Sequence, residues 1–100
     1  MLSMKLFIRD GEGELKLTGR LDAGNAPAAE EHVLEAAKRF DTLILNMENV
    51  EYVSSAGLRV IKRAHTIMRR KGGTLLLKGV TKQVMEIFEI TGFAGIMKFI

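Results

Sequence analysis

The sequence predicts an α/β fold: a small mixed β-sheet opened by a hairpin, with helices packed mainly on one face. Three observations carry this. Two short apolar-rich segments at the start flank Asp10-Gly11, a strong hairpin signal. Strand-like and helix-like stretches then alternate, which favours helical crossovers between neighbouring strands. Two later strands, Thr42 to Met47 and Thr74 to Lys78, are near-continuous apolar runs, the pattern of strands buried on both sides.

The elements follow in order. Met4 to Arg9 and Gly13 to Gly19 read as the hairpin strands, joined by Asp10-Gly11-Glu12. In Glu14-Leu15-Lys16-Leu17-Thr18 apolar and polar residues alternate, as in a half-buried strand. Gly19-Arg20-Leu21-Asp22 leaves the sheet. A first helix follows, with Asn25 as its cap and Pro27 in a first turn whose amides have no helical partner. Glu30 and Glu31 early and Lys38 and Arg39 late match the helix dipole. Val33, Leu34, Ala37 and Phe40 form its apolar face.

After the strand from Thr42, Glu48 to Val53 reads as a connector. A second helix spans about Ser55 to Arg70 and ends at Lys71-Gly72-Gly73. Thr81 caps a short amphipathic helix that Thr91-Gly92-Phe93 stops. Met97 to Ile100 is a last strand or a docked tail.

Composition narrows the function classes. At 100 residues, 47% hydrophobic, 27% charged and with one Pro, residues 1–100 read as a single ordered domain. The absence of Cys excludes a disulfide framework, a thiolate zinc site and a Cys nucleophile. No apolar run approaches the roughly 20 residues of a membrane helix. The first residues are too soon charged for a signal peptide, so a cytoplasmic location is expected. Charge is divided unevenly. Residues 1–50 hold six Lys/Arg against nine Asp/Glu, and residues 51–100 hold nine against three.

Catalytic patterns are missing. Val53-Ser54-Ser55-Ala56-Gly57 lacks the first Gly of a hydrolase nucleophile elbow. His32 lies among charged residues and His65 at the border of an apolar helix face, and no Asp is spaced to orient either. Lys71-Gly72-Gly73 follows a helix rather than opening one, so it is no phosphate loop. No metal cluster and no cofactor motif occur.

The run from Leu43 to Leu58, with an apolar strand, a connector and Ser54-Ser55-Ala56-Gly57-Leu58 at a helix start, resembles the signature of the STAS family. Gly19-Arg20-Leu21-Asp22 is similar to the family's Gly-x-Leu-Asp, and Glu89-Ile90-Thr91-Gly92-Phe93 to its Thr-Gly turn. The usual family loop reads Asp-Ser-Ser/Thr-Gly. Here Ser54 stands at the Asp, Ala56 at the second hydroxyl, and Asn46 where the strand often ends in Asp. The resemblance implies an anti-sigma-factor antagonist. Its expected partners are an anti-sigma factor with serine kinase activity and a serine phosphatase. Counting back from Gly57, the phosphorylation target is Ser55. The family's Asp near that loop, which helps partner recognition, corresponds to Asp22; a helix-entry cap or a solvated turn residue is its plainer reading. A constitutive subunit of a signalling scaffold or membrane transporter is the other role the family offers.

The residues add their own reading. Ser55 falls in the first turn of a helix, where free amides and the dipole attract anions. A phosphate there adds about −1.5 to −2 charges to any interface on this loop. Ser54 reads as the helix cap, and Ala56 and Gly57 keep the loop slim. Arg59, Lys62, Arg63, Thr66, Arg69 and Arg70 gather on one helix face, opposite Val60, Ile61, Ala64, Ile67 and Met68. The expected contact set is therefore Asp22, Ser54, Ser55, Ala56, Gly57, Arg59, Lys62 and Arg63, with a solvated helix face as the plainer reading of the cations. Nucleic acid is not an expected partner, because aromatics are few and no nucleic-acid motif occurs.

Overall fold

The computed structural model describes residues 1–100. Strands β1 (Leu2–Arg9) and β2 (Glu12–Leu21) form the antiparallel hairpin, turning through Asp10 and Gly11 with positive φ at both. Helix α1 (Ala26–Arg39) leads to β3 (Thr42–Val53), α2 (Ser55–Arg70) to β4 (Thr74–Lys78), and α3 (Lys82–Thr91) with a short 3-10 turn to β5 (Lys98–Phe99). The strand order is β1-β2-β3-β4-β5, and every pair from β2 onward is parallel. Each crossover moves one strand in the same direction. With the right-handed rule for such units, all three helices fall on one face.

The core lies between that face and the helices. Leu15, Leu17, Leu43, Leu45, Met47, Leu75 and Leu77 point into it and meet Val33, Ala37, Ile61, Ala64, Met68, Val84 and Phe88. Phe88 packs against Phe93 and Phe99, with ring centroids 6.5 and 5.9 Å away, which docks the C-terminal strand.

Four expectations need correction. The apolar runs of β3 and β4 are not buried on both sides: Ile44, Leu76 and Lys78 on the far face stay partly exposed, because no helix covers it. Glu48 to Val53 is not a connector but the second half of β3. Its pairing with β2 slips between Lys16 and Thr18 and again between Gly19 and Arg20, so β3 carries one extra residue at each slip. Burial there recurs every third residue, at Met47, Val50 and Val53, and the alternation that marks a strand is lost. Glu30 and Glu31 lie beyond the first turn of α1, too far in for the dipole. Finally, Asn25 occupies the cap position of α1 without capping it through its side chain. The other helix ends stand as read. Gly72 and Gly92 have positive φ behind α2 and α3, and Thr81 Oγ1 accepts from the Val84 N–H.

Candidate functional site at the strand ends

Leu21 and Val53 are register partners at the ends of the parallel strands β2 and β3. The next residues, Asp22 and Ser54, therefore leave the sheet side by side. The carboxyl end of parallel strands is where open α/β folds place their binding sites. The Ser54 N–H donates to the Leu21 carbonyl at 2.9 Å, which ties the two exits together.

Ser54 has extended backbone (φ −81°, ψ 173°), and its Oγ accepts from the Gly57 N–H at 3.1 Å. It is the cap that the sequence indicates, contributing about 1 kcal/mol to helix stability. Ser55 is the first residue of α2 and its side chain is exposed. The amides of Ser55 and Ala56 come too early in the helix for a helical acceptor. The hydroxyl of Ser55 thus stands in solvent beside a positive helix end.

Gly57 has a different part from the one its place in the loop suggests. It is buried, and a Cβ there would lie 2.7 Å from Leu21 Cγ and 3.0 Å from the Leu21 carbonyl oxygen. Its small size lets α2 sit on the end of β2.

Asp22 is half-buried and organises its own turn. Its Oδ1 accepts from the N–H groups of Gly24 (3.0 Å) and Asn25 (3.1 Å). Asn25 replies: its Oδ1 accepts from the Asp22 N–H at 3.0 Å and its Nδ2 donates to the Arg20 carbonyl at 2.8 Å. Sequence reasoning missed this bracket, although Asp and Asn three residues apart before a helix are its signal.

Between the first turns of α1 and α2 runs a groove of about 260 Å³, lined by Ala23, Ala26, Pro27, Ala56 and Val60, with Glu30, Arg59 and Arg63 at its sides. The small side chains leave an apolar floor next to Ser55. Of the three cations predicted here, Arg63 is held by Glu30 of α1 in an ion pair. Arg59 and Lys62 remain exposed and make no such pair. Near the ends of β2 and β3, the Arg20 guanidinium stacks on Tyr52, 4.5 Å from the ring centroid. Sequence reasoning did not find that pair, because the bulges in β3 set which residues meet. The site therefore unites Asp22, Ser54, Ser55, Ala56 and Arg59, with Lys62 and Arg63 one turn along α2. His32 is exposed and His65 half-buried on other parts of the surface, and no group of acidic or His residues is placed to hold a metal. No helix is long and apolar enough to cross a membrane.

Comparison with known proteins agrees with this fold. The family model for the STAS domain matches residues 4–100. An anti-sigma-B factor antagonist of Staphylococcus aureus is 31% identical over 98 residues, spanning 96% of this chain and 90% of that protein. One of Bacillus subtilis is 24% identical over the same shares. Among solved structures, the anti-sigma factor antagonist SpoIIAA in its unphosphorylated form superposes with a TM-score of 0.81 at 18% identity, covering 98% of this chain and 88% of that one. The phosphorylated form of SpoIIAA, described as a Bacillus cell fate determinant, gives 0.75 at 17%, covering 98% and 91%.

Proposed function

The chain belongs to the STAS domain family, and on that footing we propose that it is an anti-sigma factor antagonist whose binding end is the Asp22 turn and the start of α2. It is a regulatory binding module, not an enzyme. Unphosphorylated, it holds a cytoplasmic anti-sigma factor that is also a serine kinase. Phosphorylation of Ser55 ends the complex, and a serine phosphatase restores it. It makes no direct contact with nucleic acid and inserts in no membrane.

The observation that carries the reading is the exposed Ser55 hydroxyl at the first position of α2, beside the small-residue groove. A phosphate on Ser55 is accommodated by its own helix end, where the dipole contributes about 0.3–1 kcal/mol. A partner seated in the groove instead meets about −1.5 to −2 new charges. The domain stays folded and the interface fails. Ser54 in place of the family's Asp does not weaken the platform, since both are strong caps and Ser54 makes the bond.

The test uses wild-type and Ser55→Asp baits side by side in lysate of the source organism, with bound proteins identified by mass spectrometry. The expected result is an ATP-binding anti-sigma kinase on wild type alone, which with ATP adds one phosphate that maps to Ser55. The same partner on both baits, or a scaffold or transporter protein in its place, sinks the switch and leaves a constitutive interaction subunit.

A further inference from the structure

The side of the sheet away from β5 ends in an uncovered strand. β1 pairs only with β2, so one of its backbone edges is open. Its pairing with β2 runs without a bulge from Leu2 opposite Gly19 to Arg9 opposite Glu12, and it contains no Pro. Leu6, Phe7 and Ile8 are 41, 45 and 54% exposed, three consecutive large apolar side chains on one strand. A long, regular, apolar edge is a template for a further strand.

Which groups face outward follows from the ladder. The Arg20 N–H donates to the Met1 carbonyl, so residues two apart from Met1 bond to β2. Leu2, Met4, Leu6 and Ile8 are left to present their N–H and C=O groups to the open side. On the helix-bearing face, α1 reaches only as far as Leu6, which forms a shallow crevice with Leu15, His32, Glu35 and Arg39. Met4 is half-buried against the core, while the side chains of Leu6 and Ile8 stay exposed.

We propose that this edge is where a second copy of the chain docks, β1 against β1 antiparallel about a twofold axis, forming one continuous sheet. The charges select the register. A twofold at Lys5 sets Lys5 against itself. One at Phe7 sets Lys5 opposite Arg9. One at Leu6 sets Leu6 against Leu6 and Met4 against Ile8 on the helix face, with Lys5 against Phe7 and Ser3 against Arg9 on the other. A twofold at Met4 leaves Ile8 without a partner on the facing strand, and one at Ile8 leaves Met4 without one. Of the three central registers only the Leu6-centred one avoids a like-charge pair, and it lays a Lys beside an aromatic ring. It also engages the outward groups of Met4, Leu6 and Ile8 in about six main-chain hydrogen bonds. This inference does not rest on the functional reading above, and the start of α2 lies clear of the seam.

The chain has no Cys, so single Cys substitutions trap contacts without background. By sedimentation, wild type is expected to move from its 11.1 kDa monomer mass toward twice that as concentration rises. Leu6→Lys, folded by circular dichroism, should stay at monomer mass. Mixing Lys5→Cys with Phe7→Cys under mild oxidation should give the mixed disulfide in clear excess over either self-linked form. A wild-type chain that remains monomeric at millimolar concentration overturns the proposal, including the case where a foreign strand peptide takes the edge. So does a dimer that survives Leu6→Lys, or one that links most readily through Lys5→Cys alone.

Discussion

A methyl group added at Gly57 would meet a wall that cannot move aside. Leu21 is fully buried, and its Cγ and carbonyl oxygen stand 2.7 and 3.0 Å from the added atom. Overpacking of this kind costs about 1–3 kcal/mol, and the better helix propensity of Ala returns up to about 1. Gly57→Ala is therefore expected to lose about 1–2 kcal/mol in a urea melt and to weaken the partner by lifting the start of α2. An unchanged melting curve would show that Leu21 yields. At this scale the sequence was partly readable. Ser54 as cap and Ser55 as first helical residue followed from residue type and order. The true job of Gly57 did not, because it depends on a residue 36 positions earlier that only the sheet brings beneath it. The Asp22–Asn25 bracket lay within four residues and was open to local reasoning; the attraction of Asn25 as a simple cap concealed it.

Among the elements, α2 does most of the work that a partner would notice. Its apolar side was legible from the 3.6-residue period, and Val60, Ile61, Ala64 and Met68 are buried as expected. Its basic side was legible as a list but not as an environment. Arg63 is paired with Glu30, so Arg59 and Lys62 are the cations in the first two turns of α2 that make no ion pair. Replacing both with Glu should slow association with an acidic partner surface at least tenfold at low salt, with a smaller change in dissociation. The same change at Arg69 and Arg70, at the far end of the helix, should have little effect. Stopped-flow measurement over a salt series separates the two; equal slowing would mean that only net charge matters. β3 was the element least visible in advance. Two slips in its pairing with β2 replace alternation by a three-residue spacing, and a strand without alternation reads as a loop. Those slips are nonetheless what carry Val53 to the level of Leu21 and set Ser54 next to Asp22.

Over the whole molecule, the uneven division of charge takes on a spatial meaning. The acidic first half supplies α1 and the basic second half supplies α2, and the two helices lie side by side. Part of the imbalance is absorbed where they touch, at Arg63 and Glu30. The sheet has helices on one face only, and its bare face carries Lys5, Lys16, Lys78 and Lys98 around Ile44 and Leu76. The polar group that does sink into that face, Asn46, is satisfied: it donates to Glu14 at 2.9 Å and accepts from the Glu48 N–H at 3.1 Å. The fold class was readable because strand and helix signals alternate along the chain. The missing second cover was not, since an apolar run looks the same whether a helix or only neighbouring side chains shield it.

The single bond from the Ser54 N–H to the Leu21 carbonyl gives the molecule a built-in clock. An amide that closes two chain exits together trades its hydrogen for solvent deuterium only when those exits part, so its exchange rate counts openings of the platform. If charge at Ser55 acts purely across the interface, Ser54 in Ser55→Asp should exchange as slowly as in wild type, read residue by residue by NMR. If the amide speeds up while those of Leu45 and Leu77 in the central strands do not, the added charge works by loosening the platform from within, and release of the partner is a local melting event instead of a repulsion.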